Sequence, residues 1–334
     1  MEITINVKRF NPEGNNAEHF FQDYTLEVED YSTVLDALIK IREDIDGSLA
    51  LRCSCRAAIC GSCAMRVNGH AKLVCKTKIL DVSTDGSNFI TVEPMGNLPV
   101  IKDLVTDMKP FWDRIRAVKP WIQPDGPEPT EEYVAPNEAM LHLNGVMGCI
   151  MCGACVSDCT VLEIDKNFLG PAALAKAYRF VADPRDAEDH ERLRAYSEYG
   201  GIWDCTRCME CVQVCPKGVA PMDRIMGLRE KAIEIGFDNN NGSRHTEAFN
   251  ESIRNSGHLD ELRLPVKTFG MGGLFVLGSM LNVPAILSNI PNLIGMLPVA
   301  IRAFRRGKVP PMIHKKIHGY EKVKNIFEKM ESKK

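Results

Sequence analysis

The sequence predicts an α+β protein with a small N-terminal domain of strands and helix, an all-helical domain, and a helical C-terminal extension. Near the N terminus, Ile3, Ile5 and Val7 alternate with polar residues, which is the period of a half-buried strand. Between about residues 137 and 237, apolar residues recur instead with helical spacing. Twelve of the thirteen cysteines fall into three regularly spaced groups. This pattern predicts that metal chemistry organises both domains.

The domain boundaries are predicted from changes in composition. Residues 1–110 form the mixed domain, 111–136 a proline-marked linker, 137–240 the helical domain, and 241–334 an apolar and basic extension. At 334 residues the chain is long enough for two or three domains that each bury a core.

Short-range signals predict several elements. Thr33 and Asp36 have the spacing of a capping box, so a helix should begin there. Asn68-Gly69 predicts a tight hairpin turn. Before the linker, four apolar residues are spaced like one face of a helix that Pro110 interrupts. They are Ile101, Leu104, Val105 and Met108. A later helix should begin at Pro221 and end at Gly236 as its C′ residue.

The first cysteine group has the plant-type ferredoxin spacing C-x4-C-x2-C at Cys55, Cys60 and Cys63, with Cys75 as a distant fourth ligand. This layout predicts a [2Fe–2S] cluster held by one tight loop and one outside residue. A structural zinc site is the alternative, because four thiolates also suit zinc. Cys53 is left over, and we expect it to be a small buried apolar side chain.

The other two groups are runs of four cysteines with gaps of two, two and three residues, which is the bacterial ferredoxin pattern. In two-cluster ferredoxins the fourth cysteine of each run binds the other cluster. The first [4Fe–4S] cluster is then bound by Cys149, Cys152, Cys155 and Cys215. The second is bound by Cys159, Cys205, Cys208 and Cys211.

Other classes of function are disfavoured. A net charge of −3 and a pI near 6.3 do not suggest nucleic acid binding. The sequence contains no recognisable motif for substrate chemistry. The apolar stretch Phe269–Phe304 is cut by prolines and asparagines into pieces too short for a transmembrane span. The N terminus does not resemble a signal peptide, and the grouped cysteines indicate metal chemistry in a reducing compartment. The cytoplasm is therefore predicted, with the cytoplasmic face of the membrane as the alternative.

Three stretches resemble the iron–sulfur subunit of succinate dehydrogenase and fumarate reductase. They are Cys55–Gly69, Gly170–Asp186 between the two runs, and Cys215–Gly218. The resemblance covers about residues 1–240 and implies a β-grasp ferredoxin domain followed by an all-α two-cluster ferredoxin domain. It also implies an electron-transfer subunit that binds no substrate, whose flavoprotein partner carries FAD and interconverts succinate and fumarate.

The chain departs from the common family pattern at the second cluster. The family usually has a [3Fe–4S] cluster there, with a non-cysteine residue in the place of Cys208. Cys208 therefore predicts a second [4Fe–4S] cluster, and a [3Fe–4S] cluster without Cys208 is the alternative. Thr160 and Thr206 stand where the resemblance implies residues of the family's quinone pocket, so that pocket is not expected here.

The extension resembles the C-terminal part of the small iron–sulfur subunit of heterodisulfide reductases, through its basic stretch and the segment 308–311. Together the departures resemble non-classical succinate dehydrogenases and thiol-linked fumarate reductases. This resemblance implies a separate electron-acceptor subunit, either cysteine-rich with paired cysteines or a membrane anchor. The extension would then dock a partner or a membrane surface.

Two other functions are compatible with the same motifs. One is a free soluble carrier of the ferredoxin type. The other is the iron–sulfur relay of a different flavoprotein dehydrogenase, acting on glycerol-3-phosphate or a 2-hydroxy acid.

Overall fold

The computed structural model describes residues 1–14, 18–83, 88–271, 282–309 and 315–332. The chain divides into two compact units, Met1–Lys231 and Ala232–Lys334. Together they have the mixed α+β content that the sequence predicts, with a sheet at the N terminus and helices after it.

The N-terminal part of the first unit is built on β-strands. They are β1 (Glu2–Arg9), β2 (Phe20–Glu27), β3 (Ala64–Val67), β4 (His70–Leu73), β5 (Phe89–Glu93), β6 (Val100–Lys102) and β7 (Val105–Thr106). Among the described residues, five of these strands form one sheet in the order β2-β1-β5-β3-β4. β1 and β5 are parallel, and the other neighbours are antiparallel.

Local chemistry explains how this sheet is connected. Asn68 and Gly69 join β3 to β4 with φ angles of +50° and +84°, as a tight hairpin turn requires. Thr33 and Asp36 form the predicted capping box at helix α1 (Val34–Lys40). The helix buries Val34, Leu35 and Leu38, and the strands bury an aliphatic core that includes Ile5, Val7, Val67, Ile90 and Val92.

The predicted helical face at Ile101–Met108 is wrong. These residues form β6, a turn and β7, which pair with each other. Asp103 adopts φ +47° in the turn, and its buried carboxylate accepts a hydrogen bond from Arg9 Nε at 2.8 Å. This long-range ion pair outweighs the helical spacing. Pro110 does not interrupt a helix either, because it lies in the first turn of α3 (Lys109–Ala117).

The rest of the first unit is helical, and many of its helices are short. They are α2 (Ile79–Val82), α4 (Asn137–Leu141), α5 (Ala154–Ser157), α6 (Thr160–Ile164), α7 (Gly170–Val181), α8 (Asp189–Tyr196), α9 (Glu210–Gln213) and α10 (Pro221–Glu234), whose last three residues belong to the second unit. α10 begins at Pro221 as predicted. After it, Gly236 has φ +93°, and the N–H of Phe237 donates to the carbonyl of Ala232, which is the Schellman pattern.

The second unit is helical in its described residues. Its helices are α11 (Asn241–Ser256), α12 (Arg263–Thr268), α13 (Val283–Ser288), α14 (Ile290–Arg305) and α15 (Tyr320–Glu331). α11 contacts α12 through Arg244, whose Nε donates to the carbonyl of Thr268 at 2.9 Å. It contacts α15 through Tyr320, whose hydroxyl donates to the carbonyl of Arg254 at 2.6 Å.

The apolar stretch predicted at Phe269–Phe304 lies only partly within the described residues, since 272–281 fall outside them, as do 310–311 of the segment 308–311. The prediction that each proline divides the stretch is wrong at Pro298, which lies inside α14. No residue of α14 is buried, so water can reach the carbonyl that Pro298 leaves without its helical N–H donor. Of the helices described, none is long and apolar enough to cross a membrane.

Candidate functional site

Three cysteines of the first group, Cys55, Cys60 and Cys63, lie in the loop between α1 and β3, and the fourth, Cys75, follows β4. Arg56, Ala58 and Gly61 have φ angles of +53°, +55° and +75°, and this sequence of left-handed residues turns backbone N–H groups toward sulfur. The Sγ of Cys55 accepts from the N–H groups of Ala57, Ile59 and Cys60 at 3.3, 3.4 and 3.3 Å. The Sγ of Cys75 accepts from the N–H of Ala58 at 3.3 Å. The loop therefore gathers donors around sulfurs, as a cluster's thiolates need.

The thiols of this group lie in two environments. Hydrogen bonds from the Ser62 side chain and from backbone N–H groups lower the pKa of Cys60 to about 6. Burial raises the pKa of Cys63 to about 12. Cys55 and Cys60 are exposed, whereas Cys63 is buried. One edge of the loop thus faces solvent, and the other faces the protein.

A first cavity, hereafter cavity 1, is lined by Cys149, Cys152, Cys155 and Cys215. Three of these belong to the first run, and Cys215 closes the second run. The remaining walls are mainly apolar and include Phe111, Ala172 and Val219. Burial raises the pKa of Cys155 well above its usual range, so a thiolate at this position needs a cationic partner such as iron.

A second cavity, hereafter cavity 2, is lined by Cys159, Cys205, Cys208 and Cys211. Here the first run contributes its last cysteine, and the second run contributes three. Phe168, Pro171 and Met222 complete the walls, and burial raises the pKa of Cys211 to about 12. Cys208 is exposed whereas Cys211 is buried, so cavity 2 has one thiol at the protein surface.

The donor sets fit iron–sulfur clusters. Each cavity offers four thiols and apolar walls, and the N–H of Val219 donates to Cys215 Sγ at 3.4 Å. Within the described ranges, no three His, Cys, Asp or Glu side chains converge closely enough to hold a single metal ion. Cubane clusters space their ligands more widely, because each thiolate binds a different iron.

The three cysteine groups follow one another in space. A Cβ on Gly61 would lie 2.9 Å from the Cα and Cβ of Cys152, so the loop packs directly against a wall of cavity 1. Cys155 of cavity 1 is within electrostatic range of Cys211 of cavity 2. The order is therefore loop, cavity 1, cavity 2.

Two polar residues, the buried Asp158 and the half-buried Asn97, join the N-terminal domain to the first cysteine run. Asp158 accepts hydrogen bonds from Arg66 Nε at 2.9 Å and from the N–H of Ala71 at 2.7 Å. The side-chain amide of Asn97 donates to the carbonyls of Val156, Ser157 and Cys159 at 2.9, 3.1 and 3.0 Å. These contacts, hereafter the Asp158–Asn97 clasp, join the β3–β4 hairpin and the segment after β5 to the end of the first cysteine run.

The segment 170–186 separates and supports the cavities. α7 supplies Ala172 and Ala175 to cavity 1 and Pro171 to cavity 2. At its end, burial alone raises the pKa of Asp183, but hydrogen bonds from Arg185 and Arg179 outweigh burial and lower that pKa well below its usual range. This ion-paired carboxylate anchors the C-terminal end of α7.

Spacing alone did not reveal the clasp residues. Asp158 lies within the first run, where the x-x-x gap before Cys159 shows no preference for an acid, and its partners Arg66 and Ala71 are about 90 positions away. The available signal was the charge itself, since an acid among short-spaced cysteines needs a partner if it is buried.

Comparisons with known proteins agree with this architecture. Residues 4–113 match the family described as a 2Fe-2S iron-sulfur cluster binding domain. Residues 145–219 match the family described as a 4Fe-4S dicluster domain.

Several characterised proteins resemble most of the chain. The 8-methylmenaquinol:fumarate reductase iron-sulfur subunit of Wolinella succinogenes is 33% identical over 272 residues, which are 79% of this chain and 84% of that protein. The fumarate reductase iron-sulfur subunit of Mycobacterium tuberculosis is 39% identical over 67% of this chain and 90% of its own length. A chain of the Mycobacterium smegmatis Sdh1 complex in the apo form superposes with a TM-score of 0.64 at 28% identity, covering 71% of this chain and 98% of its own.

Proposed function

Since the chain belongs to the family of iron–sulfur subunits of succinate dehydrogenase and fumarate reductase, it is an electron-transfer subunit that binds no substrate, and we propose that its three cysteine groups carry the electrons. The observation that best supports this is that each cavity is lined by cysteines from both runs. The N-terminal cysteine loop packs against a wall of cavity 1. One [2Fe–2S] and two [4Fe–4S] clusters would supply one-electron transfer.

The proposed ligands follow the geometry. Cys55, Cys60, Cys63 and Cys75 hold the [2Fe–2S] cluster. Cys149, Cys152, Cys155 and Cys215 hold the cluster in cavity 1, and Cys159, Cys205, Cys208 and Cys211 hold the cluster in cavity 2. The sheet with α1 is proposed to be a β-grasp ferredoxin domain, and the helices after residue 137 a two-cluster ferredoxin domain.

The exposed edge of the loop is where electrons would be exchanged with a flavoprotein. Cys55, Cys60 and Ile59 are exposed there, Ile59 by 65%. A partly apolar edge beside the sulfurs suits a partner subunit that excludes water. We place FAD on that subunit and not on this chain.

The opposite end of the path lies at cavity 2. Cys208 is exposed, and its neighbour Met209 is 40% exposed, so electrons would leave or enter at this surface. With threonine at 160 and 206, the chain lacks the quinone-pocket residues that its family resemblance implies. The proposed acceptor is therefore a cysteine-rich subunit of the thiol or heterodisulfide type, in a complex on the cytoplasmic side of the membrane.

The cluster types are tested by low-temperature EPR and iron analysis on the anaerobically purified, fully oxidised complex. Oxidised [2Fe–2S] and low-potential [4Fe–4S] clusters give no signal, so we expect EPR silence with about ten irons per chain. A stoichiometric [3Fe–4S] signal contradicts the assignment of Cys208, and zinc at the loop contradicts the [2Fe–2S] assignment.

Substitution of Cys208 gives a sharper test. Cys208→Ser should convert the cluster of cavity 2 to a three-iron form, so the oxidised protein gains a [3Fe–4S] signal. Cys53→Ser is the matched control, because Cys53 lies outside all three groups. Cys208 is not a ligand if its replacement leaves the spectrum and the iron content unchanged.

The C-terminal extension is proposed to dock the acceptor subunit. No residue of α14 is buried, and large apolar side chains such as Ile294 (60% exposed) and Phe304 (76% exposed) face solvent in the isolated chain. No Asp or Glu occurs between Glu261 and Glu321, whereas eight Lys and Arg do. An apolar helix with a cationic end suits an acceptor with an apolar groove and an acidic rim.

The docking surface is tested with two acids on α14. The double variant Ile294→Glu and Phe304→Glu should lose the acceptor subunit from the purified complex but retain the flavoprotein, as measured by native mass spectrometry. Ile326→Glu on α15, which is also exposed, is the control and should keep both. Loss of the flavoprotein would overturn the assignment, as would retention of the acceptor with lost binding to anionic vesicles, which would make α14 a lipid-contacting element.

A further inference from the structure

A buried arginine adjoins cavity 2. Arg229 on α10 is 6% exposed. Its Nε donates to the carbonyl of Ile202 at 2.8 Å, and its Nη2 donates to the carbonyls of Trp203 and Cys205 at 3.1 and 2.8 Å. The guanidinium also lies over the Trp203 ring, 5.4 Å from its centroid. It is therefore fixed against the backbone of a cysteine that lines cavity 2.

Among the described residues, no carboxylate contacts this cation directly. Within the part of the chain that the structure describes, the hydrogen bonds of Arg229 go to backbone carbonyls and not to a carboxylate. The charged groups that act on it through space are Asp204, Arg207 and the thiol of Cys205. A buried charge without a carboxylate is costly, so the anion it faces is expected to be something other than a side chain.

An iron–sulfur cluster is such an anion. Four thiolates give it net negative charge, and each added electron increases that charge by one. A fixed cation nearby stabilises the reduced form more than the oxidised form, and it does so most strongly where burial limits screening by water. Net charge, hydrogen bonding and solvent exposure are the properties that set a cluster's reduction potential.

Cavity 1 has a corresponding arginine in a different setting. Arg224 donates to the carbonyls of Val219, His142 and Asn144 at 3.2, 3.3 and 3.1 Å and lies over the Tyr178 ring at 5.5 Å. It is only partly buried, and none of these carbonyls belongs to a cysteine. Water should therefore weaken the effect of the Arg224 charge on cavity 1. The charge of Arg229 is more deeply buried, so its effect on cavity 2 should be weakened less.

From this contrast we propose that Arg229 raises the reduction potential of the cluster in cavity 2 above the value that the same cluster would have without this charge. The proposal rests on the cluster sites of the proposed function. It holds whether the cluster in cavity 2 has four irons or three, because it depends on charge and not on Cys208. Arg229 is a positioning and tuning residue, since it touches the backbone of a ligand and not the iron.

The test is an anaerobic EPR redox titration of the full-length protein with its clusters loaded. Arg229→Gln keeps hydrogen-bond donors but removes the charge, and Arg229→Met keeps the apolar stem on Trp203. Either neutral variant should weaken the equilibrium for electron uptake by the cluster in cavity 2 about tenfold. For a one-electron couple this is a fall in the reduction potential of about 59 mV. Arg229→Lys keeps the charge and should restore most of the difference.

Arg224→Gln is the matched control, and it should change electron uptake at cavity 1 by less than about threefold. The proposal is overturned if loaded Arg229→Gln and Arg229→Met titrate like the wild type, or if both clusters shift equally, since an equal shift indicates a general structural effect. A three-iron signal in the wild type contradicts only the proposal that Cys208 is a ligand. The effect of Arg229 is then measured as the change in the midpoint potential of that three-iron signal. A protein without iron in cavity 2 overturns both the cluster assignment and this inference.

Discussion

Gly61 and Gly69 both require the left-handed region, with φ angles of +75° and +84°, but their surroundings differ. A Cβ on Gly61 would lie 2.9 Å from the Cα of Cys152 and 3.1 Å from the carbonyl oxygen of Ile150, whereas a Cβ on Gly69 would have no described atom within 4 Å. A side chain at Gly69 would have only the cost of the left-handed conformation. A side chain at Gly61 would have the same cost and would also disturb the contact between the cysteine loop and cavity 1.

Alanine at each glycine should therefore have unequal effects. Gly69→Ala incurs the conformational cost of about 1–2 kcal/mol. Gly61→Ala incurs the same cost and must also push the loop away from backbone atoms of the first run. We expect a larger fall in the midpoint temperature at which visible cluster absorbance bleaches under anaerobic heating. Equal falls would show that the contact with Cys152 contributes nothing.

At this scale the sequence predicted which thiols lie together but not what surrounds them. Cysteine spacing is local and is dictated by cluster geometry, so the two runs of four were readable without a structure. Asn97 and Arg229 act on partners in other elements, through carbonyls that any residue supplies. No spacing rule identifies such a donor, because its partner has no sequence signature.

Among the elements, the same division between local and distant causes applies. The capping box at Thr33, the turn at Asn68-Gly69 and the Schellman end at Gly236 are confirmed, because their hydrogen bonds join residues within a few positions. The helix predicted at Ile101–Met108 is wrong, because its conformation is fixed by Arg9 from the far end of the domain. The spacing of apolar residues indicates which side chains are buried. In Ile101–Met108, however, the backbone conformation depends on the contact of Asp103 with Arg9, which is distant in the sequence.

The Asp158–Asn97 clasp joins the β3–β4 hairpin to α5, and Asp158→Asn tests its strength. An asparagine must aim its NH2 group at one of two donors, Arg66 Nε or the N–H of Ala71, and a buried donor left without an acceptor costs about 1–3 kcal/mol. We expect faster hydrogen exchange at β4, measured by mass spectrometry. Asp23→Asn is the control, since Asp23 accepts from Asn6 at 2.6 Å on the exposed side of the same sheet.

Unchanged exchange at β4 in Asp158→Asn would show that packing alone holds the hairpin. A rise of the same size in Asp23→Asn would show that any lost carboxylate loosens the sheet. Either result removes the clasp as the feature that fixes the hairpin relative to the first cysteine run.

Across the whole molecule, the parts differ in what stabilises them. The sheet has an aliphatic core, with Ile5, Val7, Ile90 and Val92 fully buried. The helices that carry the two runs are α5, α6 and α9, with 4, 5 and 4 residues. Helices this short are not stable alone in water, so they depend on the groups that their cysteines bind.

Removal of the iron should therefore unfold the chain unevenly. After anaerobic oxidation and chelation, we expect amide protection to be lost in α5, α6 and α9, as measured by hydrogen exchange. Without iron, each cavity would contain thiols around unfilled space. The three helices have only 4, 5 and 4 residues, which is too few for their own hydrogen bonds to keep them folded. Strands β1 and β5 should keep their protection, because their apolar contacts do not need iron.

The second unit provides the internal control for iron removal. No cysteine occurs after Cys215, so α11 should exchange at the same rate with and without iron. Retained protection in α5, α6 and α9 would mean that packing against α7 and α10 suffices without clusters. Equal loss across β1, β5 and α11 would mean that the clusters stabilise the entire fold. Selective loss would instead show that iron binding and folding of the two-run region are one event, as in other small metal-dependent folds.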